Sequence, residues 1–375
     1  MSTKEHADIF ALYESLRATG GTGVLATVVR TSGSTYRRPG ARMLVTGDGR
    51  SAGLISGGCL ESDLRERSAE VLSTGKTVLV RYDSTSADDV LWGLGLGCTG
   101  IADVLLERVS GGEACSVLEF IQECRRSRSA GAIASPIVLN GITGEIGGSR
   151  VFAREGVVPE HGTMDDALRG ALTRACTAAL VAQKSSQLKV TLPAGEAEAF
   201  IEYLPSPVSL FVFGAGPDAA PLVRMAKELG WRVTVLDWRT AYLTRESFPT
   251  ADELVLARPE ETGDAFSVPP GAAAVVMTHN FDNDVALVRS LLASRASYVG
   301  LLGPRAKADL LLGRLAGEGI IPTEDEITRF HSPVGLDIGA ETPEEIALAI
   351  LAEIQATLQE RPGAPLRNRE GPIHR

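Results

Sequence analysis

Two cysteines in this chain sit in glycine turns, where a thiol is exposed to more than packing. Ser56-Gly57-Gly58-Cys59-Leu60-Glu61 lies between a short strand, Gly53–Ile55, and a helix. A cysteine at a helix N-terminus is shifted toward its thiolate, and two preceding glycines let a ligand come close to the backbone. Gly95-Leu96-Gly97-Cys98-Thr99-Gly100 repeats the idea ahead of another strand. The remaining cysteines, Cys115, Cys124 and Cys176, lack such surroundings and read as small buried side chains. None of the five stands in a CxxC, and no histidine spacing suggests zinc. A third segment, Thr31 to Arg42, joins two strands and carries Arg37, Arg38 and Arg42 among hydroxyls and glycines. Guanidinium forks match phosphate oxygens, so this loop suits an anionic ligand; the alternative is a solvated basic loop.

A different chemistry is written further along. Gly214-Ala215-Gly216-Pro217-Asp218-Ala219 fits G-x-G-x-x-G/A between an apolar strand, Leu210–Phe213, and a helix. Gly214 permits the tight turn, Gly216 lets backbone approach a phosphate, and the helix N-terminus offers free N–H groups. Asp237 ends the next strand, about 20 residues on, where an acidic side chain can hold a ribose diol. Pro217 removes one N–H from this site and Asp218 adds a negative charge, so a turn of this shape that binds no nucleotide stays open. His279, at the end of a later strand, either donates to a ligand or caps and packs. Arg305 either pairs with a phosphate or starts a helix in solvent.

These residues need elements to hold them. Apolar runs at Val24–Val29, Arg42–Val45, Val78–Tyr82 and Ile101–Glu107, with a helix from Glu61 to about Leu72, predict an N-terminal α/β domain over 1–110. Residues 111–207 are less regular. Helices are expected at Val117–Cys124 and Met164–Ala182, a hairpin around 141–148 and a strand at Phe200–Leu204, before Pro205-Ser206-Pro207. From 208 to 360, strands and helices alternate, which predicts a Rossmann-type doubly wound parallel sheet. Its last helix opens on Thr342-Pro343-Glu344-Glu345, a capping box with proline at the first helical position. The tail 361–375 is expected to be disordered.

The whole chain has 375 residues, 44% hydrophobic and 22% charged, ample for two cored domains. No apolar run approaches a membrane span and no signal-peptide stretch opens the chain, so a cytoplasmic protein with free thiols is expected. A net charge of −10 argues against nucleic acid as a partner.

Taken together, the motifs resemble the XdhC/CoxI family, accessory factors of xanthine dehydrogenase and related molybdenum hydroxylases. The resemblance rests on Gly33 to Met43, Ser56 to Glu61 and the Cys98 turn. It continues in the Gly214 turn, Val235-Leu236-Asp237-Trp238-Arg239, Thr278-His279, Tyr298 to Gly303, Pro333 to Ala340 and Thr342 to Ala347. It implies a chaperone, more an accessory protein than an enzyme, that binds the molybdenum cofactor (molybdopterin) as cargo. Such a protein keeps the cofactor while a cysteine desulfurase partner exchanges oxo for sulfur, then inserts it into a xanthine dehydrogenase-type hydroxylase. A homodimer is expected on the same ground. The cofactor-binding residues implied are Arg37, Arg38, Arg42, Gly57, Gly58, Cys59, Glu61 and Cys98, with Gly214, Gly216, Asp237, His279 and Arg305 for a nucleotide, NAD(P) or similar, in the Rossmann domain. The chain departs from the family pattern at Pro217, Thr99 and Pro304. The competing reading is an NAD(P)-dependent oxidoreductase, which would have no need of two cysteine-glycine turns.

Overall fold

A computed structural model describes residues 3–58, 60–83, 100–154, 160–161, 163–259 and 268–370. Cys59 and Cys98 both lie outside the described residues. The chain divides into two compact units, 1–207 and 208–375. Among the described residues no helix is long and apolar enough to cross a membrane.

The first unit opens with helix α1 (Thr3–Thr19) and holds two antiparallel sheets. The first sheet combines β1 (Thr22–Gly33), β2 (Arg42–Thr46), β3 (Ser51–Gly53), β4 (Val78–Asp83) and β5 (Gly100–Ser110) in the order β3-β2-β1-β5-β4. Helix α2 (Glu61–Thr74) covers it and ends on Gly75 at φ 69°, a left-handed cap that glycine adopts without strain. Val24, Ala26, Val28, Met43, Leu64 and Val71 fill the space between.

After helix α3 (Ser116–Ser127), the second sheet is built from β6 (Gly131–Asn140), β7 (Arg150–Arg154), β8 (Glu160–His161), β9 (Ser186–Leu192) and β10 (Gly195–Leu204), in the order β8-β7-β6-β10-β9. Helix α4 (Asp166–Ala182) packs on it through Leu168, Leu172 and Cys176; Asp165 caps it by accepting from the N–H groups of Ala167 and Leu168. The expected hairpin around 141–148 is present as β6 and β7, with Ala134 opposite Val151. Strand β9 was not expected. Its side chains are mostly exposed, so the alternation that marks a half-buried strand is weak there.

Three arginine–glutamate pairs join the two sheets. Arg42 on β2 makes a two-pronged bond to Glu202 on β10, with Nη1 to Oε1 at 2.7 Å. Arg30 on β1 meets Glu198 on β10 at 2.6 Å, and Arg150 on β7 meets Glu107 on β5. The Arg42 and Glu202 side chains are 3% and 7% exposed, so neither charge is shared with water.

The second unit is one parallel sheet of β11 (Ser209–Phe213), β12 (Arg232–Asp237), β13 (Glu253–Leu256), β14 (Ala273–Val276), β15 (Tyr298–Leu301) and β16 (Phe330–His331). Its order, β13-β12-β11-β14-β15-β16, reverses direction at β11 and β14, the pattern of the Rossmann fold. Helices α5 (Ala219–Glu228), α6 (Phe281–Ala293), α7 (Arg305–Gly317), α8 (Glu324–Thr328) and α9 (Pro343–Leu358) complete it. One cluster, with Leu222, Val223, Ile350 and Ile354, fills one face; another, with Val288, Leu291, Leu311 and Leu315, fills the other. The capping box of α9 forms as expected, with Thr342 and Glu345 exchanging bonds. In the tail expected to be disordered, Leu366–Asn368 form a 3-10 turn and Gly363 lies against Leu336; residues 371–375 are outside the described set.

Candidate functional site

The first unit brings together three segments that are far apart in sequence. Gly33 at the end of β1 stands opposite Gly100 at the start of β5. Gly100 is a glycine by necessity: a side chain there would strike the carbonyl oxygens of Ser32 and Ser34 and the methyl of Thr35. Past β1 the chain turns out, and the ring of Tyr36, 58% exposed, lies over Gly57, within 3.6 Å of where a Cβ would stand. The Thr31–Arg38 loop, the Gly57-Gly58 turn and the start of β5 at Gly100 therefore share one end of the first sheet. Cys59 follows Gly58 directly in sequence.

The glycine turn is held from below by a carboxylate. Glu61, at the first position of α2, is buried, and its Oε1 accepts from the Ser56 N–H at 2.9 Å while Oε2 takes the Ser56 hydroxyl. The Ser56 oxygen in turn accepts from the N–H groups of Gly58 at 3.2 Å and Leu60 at 3.1 Å. This chain of bonds fixes the backbone on both sides of Cys59. Gly58 has φ 111°, a conformation that a side chain resists, and its ideal Cβ would meet nothing within 4 Å among the described residues. The sequence singled out Glu61 as a ligand contact; the structure engages its carboxylate in the turn itself.

The three arginines have different surroundings. Arg42 is buried beneath the loop, where it donates to the Gly40 carbonyl at 3.1 Å and pairs with Glu202. Its guanidinium joins the two sheets and does not face the loop surface. Arg37 is half-buried and paired with Glu5 of α1 at 2.7 Å. Arg38 is exposed. Residues that spacing could not flag are Glu5, Tyr36 and Ser56: each acts through a partner distant in sequence or through the shape of a turn.

Of the other cysteines, two are buried as their setting implied and Cys115 is half-buried. Cys124 and Cys176 are buried, and burial pushes their thiols up to about 11 and about 12. Burial also raises Cys115. All three are free thiols. Among the described residues no group of three or more His, Cys, Asp or Glu side chains is placed to hold a metal ion.

In the second unit, the Gly214 turn lies against the end of β14. A side chain at Gly214, φ 119°, would strike the Met277 carbonyl. The turn and the Thr278-His279 segment thus meet where strand order reverses. His279 has φ 57°, its ring is exposed, and Nε2 stands 2.8 Å from Asp218 Oδ2. The Asp218 carboxylate folds over Gly216, where a phosphate would approach. Asp237 is enclosed: its side chain has no exposed surface, and Arg239 lies across it. Arg305 is the exposed first residue of α7. Next to it Lys307, which spacing did not flag, makes an ion pair of 2.5 Å with the fully buried Asp284, whose other oxygen accepts from Thr278.

Residues 210–354 match the family model for the XdhC Rossmann domain, and residues 16–83 match that of the XdhC and CoxI family. The chain is 36% identical over 334 residues to a Bacillus subtilis protein whose name makes it a probable xanthine dehydrogenase component, covering 89% of this chain and 92% of that one. It is 22% identical over 358 residues to the Escherichia coli molybdenum cofactor insertion chaperone PaoD, covering 94% and 88%. A crystal structure titled as a xanthine dehydrogenase from Bacillus halodurans superposes with a TM-score of 0.76 at 30% identity, covering 96% of this chain and 97% of that one.

Proposed function

Because this chain belongs to the XdhC and CoxI family, we propose that it is an accessory factor that carries the molybdenum cofactor for a xanthine dehydrogenase-type hydroxylase. The cofactor is cargo here: it is held while a cysteine desulfurase replaces an oxo ligand by sulfur, and then handed to the hydroxylase. The protein works in the cytoplasm as a homodimer. The observation that carries this reading is the convergence of the Tyr36–Arg38 loop, the Gly57-Gly58 turn and Gly100 at one end of the first sheet.

The residues there suit a flat, phosphorylated, sulfur-rich ligand. The Gly57-Gly58 turn, without side chains, lets a planar ring approach the backbone, Tyr36 offers an aromatic face, and Arg38 offers a guanidinium to the phosphate. A thiolate at Cys59 or Cys98 is a soft donor for a molybdenum centre. The test is to purify the protein from cells that make the cofactor and measure oxidised pterin fluorescence per protomer. Pterin that stays with the wild-type chain, falls most in Cys59→Ser and falls less in Cys98→Ser supports the reading. No pterin in the wild-type protein, or unchanged retention in a folded Cys59→Ser variant, counts against it.

A further inference from the structure

We propose that the hollow at the carboxyl ends of β11, β12 and β14 binds an adenine nucleotide carrying a phosphate on its ribose 2′ oxygen, and that Arg239 reads that phosphate. Gly214, Asp237, Trp238, Ala257, Arg258 and Thr278 line this hollow. In a Rossmann sheet the ribose of a bound nucleotide lies at the end of the second strand, here β12, and an acidic side chain there receives its hydroxyls.

Asp237 occupies that position but is already used. Oδ1 accepts from the Arg239 backbone N–H at 2.8 Å and from Arg239 Nε at 3.0 Å. Oδ2 accepts from the Ala215 N–H at 2.7 Å and from Arg239 Nη2 at 2.8 Å. A carboxylate offers about four lone-pair sites, and four donors take them. A ribose diol would have to displace one of these charge-assisted bonds.

What faces outward is the guanidinium. Arg239 is 33% exposed above a carboxylate with no exposed surface. Its carboxylate-bound edge is the one formed by Nε and Nη2, so Nη1 is on the opposite edge. Its central carbon lies 4.8 Å from the Trp238 ring centre and 4.4 Å from that of Tyr242. A flat cation flanked by rings and pinned by a carboxylate is a pre-ordered fork for phosphate oxygens. Arg258 lines the hollow, and Arg239 is bonded to Asp237, which also lines it. At the other end of the glycine turn, the Asp218 carboxylate covers Gly216 and meets His279. The charged group with a ready receptor is therefore the 2′-phosphate, more than a diphosphate on the 5′ side.

The nucleotide site belongs to the second unit alone, so its failure leaves the cargo reading standing, and the reverse. The experiment is calorimetric titration of the full chain with adenosine 2′,5′-bisphosphate and, separately, adenosine 5′-monophosphate. The bisphosphate is expected to bind about tenfold or more tightly, with the preference shrinking as salt rises. Arg239→Gln is expected to erase the preference, chiefly by weakening the bisphosphate. Equal affinities, tighter monophosphate binding, binding of neither, or a preference that survives in folded Arg239→Gln would each overturn the assignment. If circular dichroism shows that Arg239→Gln does not fold, Arg239→Lys replaces it: the preference should drop, and an unchanged one overturns the proposal.

Discussion

Single carboxylates carry much of the local order at both sites. Glu61 holds Ser56, and Ser56 holds the N–H groups of Gly58 and Leu60. Glu61→Gln replaces one acceptor oxygen by an amide donor, which then faces one of the two Ser56 donors. We expect a loss of about 1–3 kcal/mol in denaturant unfolding, the scale of an unmet buried donor. Retained pterin should fall further than stability does, because the turn loses its shape while the fold persists. Retention equal to wild type in a destabilised but folded variant would confine Glu61 to a structural part. Asp237 makes the parallel case in the second unit. Burial alone would raise its carboxyl, but Arg239 and the N–H groups of Ala215 and Arg239 outweigh this and hold it below its ordinary value of 3.8. A depressed folded value means that its stabilisation is present above the ordinary value and is lost as pH falls through the lowered one. Asp237→Asn should therefore melt below wild type at pH 7, and the gap should close as pH falls below about 4. A gap that stays constant from pH 7 to pH 3 would show that the carboxylate charge contributes nothing.

The pairing of elements was only partly visible in the sequence. Gly214, the run of strands and helices after it and the Thr342 capping box are local patterns, and β11 to α9 follow them closely. The cysteine-glycine turns and the arginine loop also stood out, since residue type and neighbours alone mark them. The burial of Arg42 was not legible, because a guanidinium in a basic loop and one buried under that loop look identical until its partner, 160 positions away, is placed. The same holds for Arg30 with Glu198 and for Arg150 with Glu107: pairs between two sheets leave no periodic trace. Asp237 matched the fingerprint by position, yet Arg239, two residues on, covers it. Removing one partner of a buried pair leaves the other charge without compensation, at a cost of about 3–5 kcal/mol. Arg42→Met should therefore destabilise the first unit on that scale in equilibrium unfolding. Arg42→Met combined with Glu202→Leu should recover most of it, since an apolar pair of similar volume has no stranded charge. A double variant no more stable than the single one would mean that packing of the long arginine stem, not its charge, is what the sheets require.

At the scale of the whole molecule, the two proposed ligands fall on different units. The Tyr36–Arg38 loop, the Gly57-Gly58 turn and Gly100 belong to 1–207, and Arg239, Asp237 and the Gly214 turn belong to 208–375. Each unit has its own apolar interior: Leu168, Leu172, Val28 and Leu64 in the first, Leu222, Ile350, Val288 and Leu311 in the second. Both lengths are within the range of independently folding domains. The first unit also contains the Arg42–Glu202, Arg30–Glu198 and Arg150–Glu107 pairs entire, so these charges stay paired after a cut at Pro207. Chains 1–207 and 208–375, produced separately, are therefore expected to fold, each with a cooperative thermal transition by circular dichroism. The first should retain pterin when made in a cofactor-producing cell, and the second should keep the preference for adenosine 2′,5′-bisphosphate. Neither the full chain nor the second unit should oxidise NADPH in a substrate-dependent way, because the proposed cargo and nucleotide sites lie on separate units and the Gly216 turn is covered by Asp218. If pterin binding vanishes in a folded 1–207 and returns only in the full chain, the cargo site needs residues of the second unit, and the two units do not divide the work between them.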